Sequence, residues 1–224
     1  MRATCSGFID AGYLRAQGAA AVGRKPWEVR LDAAAVVDWL RSRAPDLPAE
    51  QDLLRTYWYD RAFDPSHVDY RRQRRFFDGI AFTPGIQLRL GHVAENPVDL
   101  DSQMRQAVRQ AAESLEIEPT TLLEEFKRHL AGRVRREQKG VDTLIVLDLV
   151  RLASRSIFSS MILVSGDRDL AEAVRTAQDY GTRVIVATPD RQSVASTLAQ
   201  LADDIIDIPD DVIRSMLPLR QPAD

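Results

Sequence analysis

Short apolar runs alternate along the chain with segments whose hydrophobic residues recur every three to four positions. That is the order of a parallel sheet covered by helices on both faces, so the pattern predicts an α/β fold. The strand-like runs are Thr4–Asp10, Leu53–Asp60, Ile86–Val93, Met161–Gly166 and Arg183–Thr188. Between them, Asp32 caps a segment with Val36, Val37 and Leu40 on one stripe, which stops at Arg41, Arg43 and Pro45. Ser66 and Asp69 are spaced as a capping box ahead of a basic helix whose Tyr70, Gln73, Arg74 and Phe77 share a face. Asp169 and Glu172 have the same spacing before Leu170, Ala173, Val174 and Ala177, with Gly181 as the stop. GVDTLIVLDLVRLA, from Gly140, is apolar nearly all round and predicts a buried helix with Asp142 in its first turn. From 94 to 137 the alternation pauses. Two charged helices fit there, broken at Glu118–Pro119, with Thr121 and Glu124 capping the second and its pattern read on through RVRREQK. The expected layout is one domain over 1–212 containing a helical insertion at about 94–137, then a C-terminal tail over 213–224.

Composition narrows the function. With 224 residues, 45% of them hydrophobic, the chain can bury one substantial core. Thirty basic residues against 33 acidic exclude a uniformly basic binder and leave nucleic acid and small molecules open. Cys5 has no cysteine partner, so neither a disulfide within the chain nor a zinc cluster is available, and a cytoplasmic address is expected. No run of 18 apolar residues suggests a membrane span, and the first residues do not read as a secretory leader. His67, His92 and His129 lack metal-ligand spacing, and Ser165 lacks both a GxSxG setting and a paired histidine.

The acids carry more. Three strands end on or just before aspartate, and ligands of an open parallel sheet gather at the carboxyl ends of its strands. Asp10, Asp142 and the pair Asp167 and Asp169 stand out. Any one alone is commonly just a helix cap or a turn. Several at one sheet edge repel one another unless a cation neutralises them, and a hard, oxygen-preferring ion, Mg²⁺ or Mn²⁺, is the natural partner. Asp148, six residues beyond Asp142, falls on another face of the helix and is left out. Two cationic clusters are candidates for contact with a nucleic-acid backbone: Arg71, Arg72, Arg74 and Arg75, followed by Phe76 and Phe77, and Arg133, Arg135, Arg136 and Lys139, which lead into GVD. A basic helix face is more often merely solvated, and Phe77 suits the core.

FIDAGYL at 8–14, YWYD at 57–60, QKGVDTLIVLDLVRLA at 138–153, ILVSGDRDLAEAVRTAQDYGTRVIV at 162–186 and SVASTLAQLADDIIDI at 193–208 together resemble the NYN domains of the LabA-like group, in the PIN-like nuclease superfamily. The resemblance covers nearly the whole chain outside 94–137. It implies a PIN-like, Rossmannoid sheet flanked by helices. It also implies a metal-dependent ribonuclease that hydrolyses phosphodiesters in RNA processing or decay, with Asp10, Asp142, Asp167 and Asp169 holding Mg²⁺ or Mn²⁺. The sequence departs from the family in placing Tyr13 where FIDGxN has asparagine, and Leu170 where SGDxDF has phenylalanine. Tyr13 and Ser165 are therefore expected beside the metal-holding acids, with the Tyr13 contact in question. That departure keeps open a second reading, a catalytically silent PIN-like module that binds RNA or a protein partner. The insertion is open to use as a lid, an RNA platform or a homodimer contact.

Overall fold

The computed structural model describes residues 3–97, 102–130 and 134–220, with backbone only at 93–97 and 134–139. The chain runs β1 (Thr4–Asp10), α1 (Ala11–Ala21), α2 (Ala33–Arg43), β2 (Asp52–Ala62), α3 (Tyr70–Ala81) and β3 (Ile86–Pro97). There follow α4 (Ser102–Ser114), α5 (Pro119–Leu130), β4 (Val134–Lys139), α6 (Val141–Ala153), β5 (Ser160–Val164) and α7 (Ala171–Asp179). The last elements are β6 (Arg183–Thr188), α8 (Ser196–Leu201), β7 (Asp204–Asp207) and α9 (Asp210–Met216). Among these residues no helix is long and apolar enough to cross a membrane.

The strand order is β4-β3-β2-β1-β5-β6-β7, and the pairings from β3 through β7 are all parallel. The chain winds outward from β1 to β3, then returns to the other side of β1 to lay down β5. The carboxyl ends of β1 and β5 thus flank the point where the winding reverses, the crevice in which such sheets bind ligands.

Period-two alternation sorts the strands onto two apolar layers. Cys5, Ile9 and Trp58 join the residues of α1, α2 and α9 on one face. Phe8, Tyr57, Tyr59 and Leu163 join α6, α7 and α8 on the other, where the Phe8 and Tyr57 rings stack at 5.1 Å. Burying each such large side chain contributes about 1.5–3 kcal/mol. Gly7 lets α2 lie close to β1, since a Cβ there would come within 2.6 Å of Leu40 Cδ1. Cys5 is fully buried and its thiol is pushed up to about 11 by that burial, which leaves it inert.

Asp148 interrupts the apolar face of α6 and is buried. Its carboxylate accepts the Tyr59 hydroxyl at 3.0 Å, Arg89 Nε at 2.9 Å and Arg151 Nη2 at 2.5 Å. Two guanidiniums compensate one buried charge, so this acid braces α6 against β2 and β3.

Several expected elements differ. Helix α7 starts at Ala171, not Asp169. Asp167 caps a 3₁₀ turn over Arg168–Leu170 by accepting the Asp169 backbone N–H at 2.9 Å, so the Asp169 carboxylate has no capping duty. Helix α5 is capped by Glu118, which accepts the Thr121 N–H at 3.0 Å and the Thr120 hydroxyl, rather than by Thr121 and Glu124. That helix ends at Leu130, and the charged run at 134–139 is strand β4 at the end of the sheet order. Charged side chains suit an edge strand, which they protect from pairing with other chains. The segment expected as a tail from 213 is part of the fold: Ile213, Met216 and Leu217 are buried. Arg220 donates its backbone N–H to Glu28 at 2.8 Å and its Nε to the Val29 carbonyl at 3.0 Å; residues 221–224 lie outside the described residues.

Val93–Gln138 forms a compact unit of its own, and the remainder forms another. Within the smaller unit α4 and α5 pack on each other, with Val108 and Ala112 buried.

Candidate active site

Asp10 ends β1 with the same parity as Phe8, which turns it toward the face carrying α6 and α7. It is only 8% exposed and caps α1 through Oδ1, which accepts the Tyr13 backbone N–H at 3.0 Å. Oδ2 accepts the Ser165 hydroxyl at 3.4 Å. Burial pushes the Asp10 carboxyl up to about 6, against the lowering pull of the Tyr13 and Gly12 N–H groups and with a further push from Asp142.

Asp142 sits in the first turn of α6, which follows Gly140 in a left-handed conformation at φ +83°. Its carboxyl is raised by burial, then by repulsion from Asp167 and Asp169. Each of these influences disfavours its charge. Asp167 is half-buried beyond β5, and Asp169 is exposed. The structure therefore brings the four aspartates, contributed by β1, α6 and the turn after β5, into one electrostatically coupled group at the reversal point of the sheet.

Ser165 joins two of them. It is fully buried, donates to Asp10 and accepts the Asp167 backbone N–H at 3.3 Å. Tyr13 does something other than stand in for an asparagine amide. Its hydroxyl hydrogen-bonds Thr188 Oγ1 at 2.8 Å and Ser193 Oγ at 2.6 Å, tying the start of α1 to the loop after β6. Thr188 and Ser193 in turn donate to the Asp190 carbonyl at 2.7 and 2.6 Å. Gly166 lies beneath this clamp: a Cβ there would stand 2.4 Å from the Ser193 carbonyl oxygen and 2.7 Å from Tyr13 Cε2.

All four donors are carboxylates, which suits a hard divalent cation in charge and in ligand type. Among the described residues, no three His, Cys, Asp or Glu side chains are gathered as a ready coordination sphere. By charge and ligand type the acids fit Mg²⁺ or Mn²⁺.

Asp60 was not singled out in the sequence, although YWYD ends a strand on it as FID does. It is 5% exposed and paired with Arg15 Nη2 at 3.4 Å, and burial raises its carboxyl more than Arg15 lowers it. Asp60 shares the parity of Trp58, which places it on the α1 face, opposite to Asp10. The contacts of Tyr13 with Thr188 and Ser193 were also beyond sequence reasoning, because they join residues far apart in the chain.

Of the cationic candidates, Arg71, Arg72, Arg74 and Arg75 are all exposed on α3, and Arg74 is engaged by Asp78 at 3.1 Å. Phe77 beside them is buried in the core. Arg133 lies outside the described residues, and Arg135, Arg136 and Lys139 are on β4, where side chains are not described.

The sequence profile of the NYN domain family matches residues 8–209. An uncharacterized protein of Sinorhizobium fredii (strain NBRC 101917 / NGR234) is 42% identical over 92 residues, which make up 39% of this chain and 43% of that protein. The match thus spans less than half the length of that relative. A crystal structure of a protein of unknown function from Vibrio parahaemolyticus RIMD 2210633 aligns over 94% of this chain and 95% of its own. Its TM-score is 0.51 at 17% identity, a likeness of fold.

Proposed function

The chain belongs to the NYN domain family, within the PIN-like nuclease superfamily, and on that premise we propose that it is a divalent-metal-dependent endoribonuclease of the LabA-like type. Asp10, Asp142, Asp167 and Asp169 would hold Mg²⁺ or Mn²⁺, and RNA in processing or decay would be the substrate. The observation that supports this most is the mutual repulsion of acids drawn from three separate segments to one sheet edge, a costly arrangement that a bound cation would relieve.

Bound by Asp10, Asp142, Asp167 and Asp169, a divalent ion would supply activation of water and neutralisation of charge on the phosphodiester. The chain's own residues orient the acids. The Tyr13 N–H and Ser165 hydroxyl fix the two oxygens of Asp10, and the Asp169 N–H fixes Asp167. Exposed Arg71 and Arg75 offer phosphate contacts for the rest of the strand.

The test is incubation of the purified chain and its Asp167→Asn variant with labelled RNAs of mixed structure in Mg²⁺, Mn²⁺ or EDTA. Cleavage is expected with either metal and is lost in EDTA and in the variant. Cleavage that survives EDTA or the substitution would sink the proposal. Tyr13, which bonds Thr188 and Ser193 where the family motif has asparagine, favours one second reading, a catalytically silent module that binds RNA or a protein partner, for which binding without cleavage is the expected result.

A further inference from the structure

Asp169 belongs to two neighbourhoods. It repels Asp142, and it also lines an open cleft of about 390 Å³ between the 3₁₀ turn, α7 and α8. That size lies within the roughly 300–1,000 Å³ range of pockets that hold small organic ligands. Arg168, Glu172 and Arg175 line the cleft from the turn and α7, and Thr197, Gln200 and Leu201 line it from α8.

The charges of this lining cancel, two cations against Asp169 and Glu172, so the cleft is no trap for a bare anion. The Arg168 guanidinium is exposed and makes no hydrogen bond or ion pair among the described residues. Arg175 holds Glu172 only at 3.5 Å, an exposed, solvent-screened pair that is easily exchanged. Both guanidiniums are therefore available to a phosphate or to the face of a base. Glu172 can accept a hydrogen bond from a hydroxyl, and the Gln200 amide presents a donor and an acceptor together. Leu201 and Ala171 add an apolar floor. Cation, hydroxyl acceptor, amide and apolar surface in one small cleft match the parts of a single unpaired ribonucleotide.

We propose that the cleft between α7 and α8 binds one unpaired ribonucleotide adjoining the phosphodiester presented to the aspartates, with Arg168 on its phosphate, Glu172 on its 2′-hydroxyl and Gln200 on its base edge. The cleft shares Asp169 with the acidic group, so a strand leaving that group enters the cleft directly. This subsite rests on the ribonuclease reading for its role, while its binding is measurable without any cleavage.

The experiment is fluorescence anisotropy with a labelled single-stranded RNA hexamer in EDTA, where metal-dependent hydrolysis cannot proceed. Arg168→Ala, Gln200→Ala and Glu172→Ala are compared with wild type and with Arg214→Ala, an exposed control on α9. All the substituted side chains are exposed, so folding is preserved. Arg168→Ala is expected to raise Kd about tenfold and the control to leave it unchanged. Wild type should prefer the ribo- over the deoxyribo-hexamer, and Glu172→Ala should erase that preference. Cleft variants binding within about twofold of wild type, an undiminished preference in Glu172→Ala, or a wild type that binds no hexamer would each overturn the subsite. A parallel cleavage assay in Mn²⁺ separates the two claims. Cleavage with an unchanged KM in Arg168→Ala removes the subsite and leaves the nuclease standing. Weakened binding in the variants with no cleavage by wild type removes the nuclease and leaves the subsite.

Discussion

Replacing Asp10 by asparagine should stabilise the metal-free protein at neutral and higher pH while abolishing cleavage. The carboxyl sits at about 6 in the folded chain against 3.8 for an ordinary aspartate, chiefly because burial penalises its charge. The folded state therefore holds the proton more tightly than the unfolded chain. Its favourable contribution is complete below pH about 4 and is lost as pH rises through about 6. At about 1.4 kcal/mol per pH unit, the charged carboxylate costs the fold about 3 kcal/mol above that window. Asparagine avoids the cost and is as good an N-cap, so the Tyr13 N–H keeps its acceptor. Loss of the favourable charge at the α1 N-terminus and of the Ser165 bond takes back about 1 kcal/mol. The net gain at pH 8 is about 2 kcal/mol, or about 4–8 °C in Tm for a chain of this size. Calorimetry at pH 4, 6 and 8 in EDTA measures it. A variant no more stable than wild type at pH 8, or one with the same gain at pH 4 as at pH 8, would refute the reasoning. Added Mn²⁺ should raise the wild-type Tm and leave the variant's unchanged.

Asp148→Ala should destabilise by about 1–3 kcal/mol in urea titration, since it leaves the buried Tyr59 hydroxyl without its acceptor while the partly exposed Arg89 and Arg151 turn to water, yet kcat per folded molecule should stay at the wild-type value. A kcat loss at full folding would place Asp148 in the chemistry instead. Gly166→Ala should cost about 1–3 kcal/mol or more by driving Tyr13 and the Ser193 carbonyl apart, and an unchanged Tm would contradict the close packing. Tyr13→Phe, which removes one hydroxyl from the clamp but leaves Thr188 and Ser193 bonded to the Asp190 carbonyl, should cost only about 0.5–1.5 kcal/mol by the same assay. Removing Arg71 and Arg75 together should weaken RNA binding and lower the slope of log K against log salt by about 2, whereas an unaltered slope would leave α3 a solvated face.

The α/β class was legible along the chain because strands covered on both faces read as short apolar runs, as at 4–10 and 183–188, while the helices between them keep a three-to-four-residue period. Asp10, Asp142, Asp167 and Asp169 stood out for the same local reason, at the ends of apolar runs. Where the local signal was ambiguous, it misled. Asp167 and Asp169 are equally good caps by type, and only the bond from the Asp169 N–H shows which one caps the turn. The charged run of β4 has no apolar period, and its place at the end of the sheet order is fixed by strand pairing that leaves no local signal. Strand order is the largest thing the chain could not state. It sets β5 beside β1, so that Ser165 reaches Asp10, and it turns Asp60 to the α1 face while Asp10 turns to the other. Sequence determined which residues could do chemistry. Tertiary structure alone decided which of them meet, because contacts between distant segments depend on topology and parity, and neither leaves a periodic trace in the chain.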